Sequence, residues 1–399
     1  MRLVPGPKLL ILLFSVSFLA VSWAGLVSPS TPEIVSEFGR GSTARGAIIG
    51  VSSLLAAIGA PVAGLLADRV GRRKVLVTSL IIFGLSGLVQ ALAPNFSVFL
   101  VGRGLVGLGN AGLIGLVITS ISDMFPSEKA VRYIGFNGSM IGLGLLVNPL
   151  VGGFIADVST WRFAVLVQLL AIPVAILLWR FMPEVELPKG RQLREQLSEA
   201  KTTLLSSGIA RRLFVGFATF FMIFGLQVTL IPQLLVEQFE ASESTRSFVF
   251  GATAIGIVVS SSLIGRLRDR FSIRFVVLSG MCLFIVNALL VGFAQSFVVI
   301  LVAALINGVG ESFVITGLNA EISTTAAAST RAIATWMFLA SGRIGQALGS
   351  FTFGYLDSLY DQQPLFLVGA GLFGILFAWL LITTSRRVGE GDVITRVDT

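Results

Sequence analysis

The chain has 399 residues, 54% hydrophobic and 13% charged, with a mean hydropathy of +0.90; soluble domains carry roughly a quarter charged residues, so an ordinary water-facing surface is excluded. The net charge of +8 sits in short basic clusters between apolar runs, which excludes a nucleic-acid-reading patch. Zero histidine and a single cysteine, Cys282, exclude imidazole metal sites, histidine proton relays and an internal disulfide, so any proton carrier must be a carboxylate.

The natural unit is a membrane span of ~20 apolar residues. In chain order the predicted spans are 8–28, 44–66, 75–93, 97–120, 132–156 and 161–182, then 211–236, 247–266, 274–294, 297–319, 332–356 and 364–385. Runs of this length without strict alternation are helices, because a lone segment in lipid must satisfy its backbone internally. The first run follows Arg2 and Lys8 like a signal peptide, but the further runs make it a first span. With the N-terminus cytoplasmic, most of the 29 Lys and Arg fall in cytoplasmic segments. Arg40, Arg45, Arg103, Arg162, Arg246 and Arg343 are the exceptions, and both termini are expected in the cytoplasm.

A polar stretch from Pro183 to Arg212 containing ELPKGRQLREQLSEAKTTLL reads as a polar or interfacial helix. It is the expected linker (183–210) between halves 1–182 and 211–399. The halves repeat at an offset of about 200 residues, a build common in secondary transporters. Gly64 to Arg69 aligns with Gly265 to Arg270, Gly107 and Gly109 with Gly308 and Gly310, Asp123 and Arg132 with Glu321 and Arg331, and Gly142 and Asp157 with Gly342 and Asp357.

The sharpest motif is GLLADRVGRRKV, residues 64–75, after the second span. Gly64 permits close helix packing. Asp68, among Arg69, Arg72, Arg73 and Lys74, can make charge-assisted bonds at a helix end and so latch helix ends in one state and release them in another. With Gly71 this motif resembles the signature loop of the major facilitator superfamily, and 265–274 is a degenerate copy keeping Gly265, Asp269 and Arg270. The resemblance covers the whole chain. It implies an all-α membrane protein with twelve transmembrane helices in two pseudo-symmetric six-helix bundles.

Three further stretches resemble that family's drug:proton antiporters: LVSPSTPEIVSEFG at 26–39, FLVGRGLVGLGNAG at 99–112 and GSMIGLGLLVNPLVGGFIAD at 138–157. Arg103 matches the arginine assigned to proton coupling. Gly144, Pro149, Gly152 and Gly153 match the packing motif of the fifth span, whereas Asn148 stands where that motif has glycine. Asp123, Arg132, Glu321 and Arg331 are expected in the latch networks.

Ionisable residues inside a membrane default to function. Glu311, Arg103 and Arg343 lie within spans. Glu311 admits two roles, a proton carrier or a structural ion pair with Arg343. Phe214, Phe217, Phe221 and Phe224 share one helical face by spacing, which either lines a pocket, with Gln227 as its polar contact, or packs against lipid and protein. By resemblance, Arg103, Asn110, Gln227 and Glu311 face the central cavity. Glu33, Asp157 and Asp357 fall at outer helix ends, where carboxylates are mostly solvated.

The resemblance implies a secondary active transporter of the cell membrane, exchanging protons for hydrophobic or cationic small molecules by alternating access. The alternative is an anionic or amphiphilic metabolite or lipid bound by Arg103 and Arg343. The expected partners are substrate, protons and the lipid bilayer, with no nucleic acid, metal or cofactor, on a monomer. No phosphate loop, metal cluster or nucleophile–base set marks an enzyme.

Overall fold

The computed structural model describes residues 7–184, 207–325 and 331–394. The predicted linker helix lies outside the described residues. Among the described residues, eleven helical segments are long and apolar enough to cross a membrane. In order they are α1 (Pro7–Glu37), α2 (Thr43–Val70), α3 (Arg72–Ala91), α4 (Phe96–Met124), α5 (Ser127–Val158), α6 (Trp161–Phe181), α7 (Gly208–Phe239), α8 (Glu243–Arg270), α9 (Ile273–Gly292), α10 (Phe297–Thr325) and α12 (Gln362–Ile394). The twelfth, α11 (Arg331–Leu356), has the length, but Arg343, Gln346 and Ser350 lower its hydropathy.

Buried apolar side chains form two cores, one from α1–α6 and one from α7–α12, and the partly buried Phe224 packs against both. Two helices are locally irregular for sequence reasons. In α1, Gly25, Pro29 and Pro32 interrupt the helix, so the Val27 amide bonds the Ala24 carbonyl instead of that of Trp23. In α7, residues Ile223–Leu230 form a π-helical turn ahead of Pro232, whose ring nitrogen cannot donate. Between α2 and α3, Gly71 has φ +99°, a conformation that strains any side chain.

The halves meet along α2–α11 and α5–α8, and they meet unevenly. On the face carrying residues 38–42 the contact is tight. Gly46 abuts the Ser350 carbonyl and Gly354, Gly50 abuts the Phe351 ring, and Gly153 abuts Glu243 and Ser247. Toward the face carrying Gly71 and the other basic loops, the same helical stripes lose their partners. Gly64 lies on the same face of α2 as Gly46, five turns on, and nothing lies within 4 Å of where its Cβ would be. Gly135 and Gly138 share a face of α5 with Gly142 and Gly153 and are open too, as is Gly265 on α8. The α2–α11 and α5–α8 pairs therefore close one face and part toward the basic face, where Gly115 against Trp336 is a remaining cross-half contact.

Candidate functional site

The break in α1 builds the centre of the molecule. The freed carbonyl of Trp23 accepts from Arg103 Nη1 at 2.8 Å, and the Ile48 carbonyl accepts from Arg103 Nε at 2.8 Å. Ser52 Oγ donates to the Arg103 carbonyl. Arg103 is 0% exposed and meets carbonyls, Gln90 Oε1 at 3.5 Å and the Trp23 ring, with no carboxylate partner among the described residues. It is thus enclosed among α1–α4, away from the second half. Asn110 Nδ2 donates to the Ala20 carbonyl, so it too pins α1 to α4.

Trp23 faces the second half. Its ring stacks on Phe224, with centroids 5.9 Å apart and planes 4° apart, and the Arg343 guanidinium lies 5.5 Å from its centroid. Arg343 Nη1 donates to Gln346 Oε1 at 3.3 Å. Glu311 lies on α10 half a turn around from the exposed Val302, so it points to the bundle interior. It is half-buried and makes no hydrogen bond or ion pair among the described residues. The ion-pair alternative with Arg343 is therefore not formed here.

The phenylalanine stripe is divided. Phe214 touches Trp379, Phe217 touches Phe221, and Phe221 packs on the buried Phe353 of α11. The π-helical turn takes Phe224 out of that row and next to Phe220 and Trp23. Gln227 is buried in the same turn, with Nε2 unpartnered among the described residues.

The fifth-span residues lie where tight packing demands them. A Cβ on Gly144 would meet Val21 and the Phe18 carbonyl, and one on Gly152 would meet the Leu26 backbone. Asn148 Nδ2 donates to the Phe18 carbonyl at 3.1 Å, and Pro149 lies against Gly25.

On the basic face, Arg72 pairs with Asp123 at 2.8 Å. Arg73 holds the Met182 carbonyl, Trp179 and Glu184. Asp68, Arg69 and Asp269 are exposed. Arg132 lies over Phe136, not beside Asp123. Glu321 pairs with Arg212 at 2.7 Å, because the degenerate second loop has no arginine where Arg72 stands in the first. The Arg331 side chain lies outside the described residues.

Sequence reading missed two features. Trp23 was hidden among apolar neighbours, although the glycine and prolines after it mark the broken helix. The carboxylates taken as solvated tie the halves together on the closed face. Arg246, 1% exposed, holds Glu33 at 2.5 and 2.9 Å, Asp357 pairs with Arg45, and Asp157 accepts from Ser244.

A chain of this build has many relatives. The profile of the Major Facilitator Superfamily matches residues 12–234 and 213–394. The tetracycline resistance protein, class H, of Pasteurella multocida is 25% identical over 94% of this chain and 95% of its own length. The quinolone resistance protein NorA of Staphylococcus aureus is 30% identical over 43% of this chain and 45% of its own. Among solved structures, the human organic anion transporter MFSD10 superposes with a TM-score of 0.70 at 19% identity, covering 94% of this chain and all of that one. A D-xylose–proton symporter superposes with a TM-score of 0.77 at 16% identity, covering 93% and 95%. At such identities the fold alone is shared, and it carries unrelated substrates. The profile spans nearly the whole chain in two overlapping matches, and this integral membrane protein belongs to the Major Facilitator Superfamily of transporters.

Proposed function

We propose that this transporter exports hydrophobic or cationic small molecules in exchange for protons, by alternating access. The observation that carries the reading is Glu311: an acid on the interior side of α10, without a bonding partner among the described residues, in a chain that has no histidine. An acid held in that way exchanges a proton against a cationic ligand at one place. The relatives named for tetracycline and quinolone resistance support export of drug-like compounds. With the basic loops on the cytoplasmic side, the arrangement is inward-open, with both termini cytoplasmic. It is the state in which an exporter loads. The signature loops around Asp68 and Asp269 then close against the opposite half in the outward-open state. The protein acts as a monomer in the cell membrane.

A second reading, transport of an organic anion, is favoured by one observation. Arg343 has no carboxylate partner among the described residues. Arg103 does not serve in it, because backbone carbonyls and Trp23 enclose it.

The test is flux in proteoliposomes with a pH-sensitive dye inside. Adding a lipophilic cation under an imposed proton gradient should move protons, and Glu311→Gln should abolish that movement. Equal flux in the variant would place the proton site elsewhere, and no flux with cations but flux with organic anions would promote the second reading.

A further inference from the structure

We infer that the site between the halves selects amphoteric aromatic molecules, with the ligand's cationic group at Glu311, its anionic group at Arg343 and its ring system against the Trp23–Phe224 pair. This rests on the export reading above and narrows its substrate class.

The argument begins with two opposite charges that do not neutralise each other. Glu311 is on α10 and Arg343 on α11, both at the interior of the helix bundle, and no ion pair joins them. Unpaired charges in low dielectric are costly. Each therefore offers favourable energy to a ligand group of opposite sign. Arg343 is kept aimed toward α1 by Gln346 on one side and by the face of Trp23 on the other, and neither partner cancels its charge.

A ligand with a single positive charge satisfies Glu311 but leaves Arg343 unmatched and adds a net charge to the site. An anion does the reverse. A ligand carrying both charges satisfies both side chains and leaves the site neutral, the cheapest outcome away from water. Beside Arg343 the lining is aromatic. Trp23 and Phe224 lie parallel, one from each half, and Phe224 is partly exposed, so a ring system has a flat apolar surface to meet. Enclosure of Arg103 within the first half leaves Arg343 as the arginine placed to receive an anionic group.

The test compares rhodamine B, which carries a cationic ring system and a carboxylate, with its ethyl ester, which differs only in lacking the free carboxylate. Fluorescein serves as the anion. Binding is read by fluorescence anisotropy on the purified protein in lipid nanodiscs. Rhodamine B should bind about tenfold or more tightly than the ester, the effect of one charge-assisted bond, and fluorescein should bind weakest. Arg343→Gln should erase the advantage of rhodamine B, and the ester, relieved of the unmatched positive charge, should bind at least as tightly as before, which reports that the variant is folded. Arg343→Lys, which keeps the charge, should retain part of the advantage. Equal binding of dye and ester by the native protein would overturn the amphoteric assignment and leave export of cations standing, as would a preference that survives Arg343→Gln. If none of the three dyes binds, both readings fall.

Discussion

Trp23 and Phe224 stack face to face across the boundary between the two six-helix halves, with ring planes 4° apart. Each ring sits on an irregular segment, the interrupted α1 and the π-helical turn of α7. The pair joins the two halves through side chains alone.

That contact should be worth measuring through ligand affinity. Replacing Trp23 with Ala removes an aromatic pair worth about 0.5–1.5 kcal/mol beyond its buried area. Dye binding should therefore weaken by up to about tenfold, whereas Trp23→Phe should keep most of the affinity. Arg103 should stay in place in both variants, because the backbone carbonyls of Trp23 and Ile48 that hold it are kept.

Gly64 and Gly46 should respond to enlargement with opposite signs. A leucine at Gly64 meets open space in the present arrangement and improves helix propensity by roughly 1 kcal/mol, so thermal stability should hold or rise. The variant cannot close the basic face, so transport should be lost while ligand binding persists. A leucine at Gly46 collides with the Ser350 carbonyl and should cost about 1–3 kcal/mol of the closed-face contact. A scan of unfolding temperature beside a flux assay separates the two.

The ion pair between Arg246 and Glu33 clasps the halves on the closed face, with Arg246 buried and bidentate. Glu33→Gln alone leaves a buried guanidinium short of a partner, although Glu243 remains 3.6 Å away. The loss should approach the ~3–5 kcal/mol seen when one member of a buried pair is removed. Changing Arg246 to Met as well should return part of it. Unfolding midpoints of the two single variants and the double variant test this.

Asp357 makes the closed face sensitive to acid. Burial holds its carboxyl above the usual carboxylate range, against the opposing pull of Arg45 and the hydrogen bond from Gln362, with Glu237 adding to the rise. Opening that face returns the group to water and to its ordinary affinity. The closed arrangement thus binds more protons than the open one, so lowering pH through the range just above the ordinary carboxylate value should favour closure, and raising it should favour opening. Asp357→Asn should flatten this dependence, as read by accessibility of a cysteine placed at Ser247, which is buried against Gly153 on the closed face.

Much of this was legible in the residues. The thickness of a bilayer fixes the length of an apolar run, so twelve spans and their repeat could be read directly, and Gly144, Gly152 and Pro149 announced tight packing in α5. Partnerships across the halves could not be read. Glu33 and Arg246 are 213 residues apart, and nothing local distinguishes them from solvated end charges. Glu321 shows the same limit from the other side: its repeat position predicts a basic partner, yet the partner is Arg212, because the second copy of the loop has lost the arginine. The role of Phe224 depended on a π-helical turn that shifts the register of α7, which regular helical spacing does not anticipate.

The proposed alternation of access, in which the basic face closes as the opposite face opens, is tested most directly by paired distances. After Cys282 is replaced by Ser, spin labels at Val131 and Phe271 report on the basic face, and labels at Leu92 and Leu359 on the closed face; all four sites are exposed. On addition of ligand as the pH is raised, the first distance should shorten as the second lengthens. Two distances that stay fixed, or that change together in the same sense, would contradict the account.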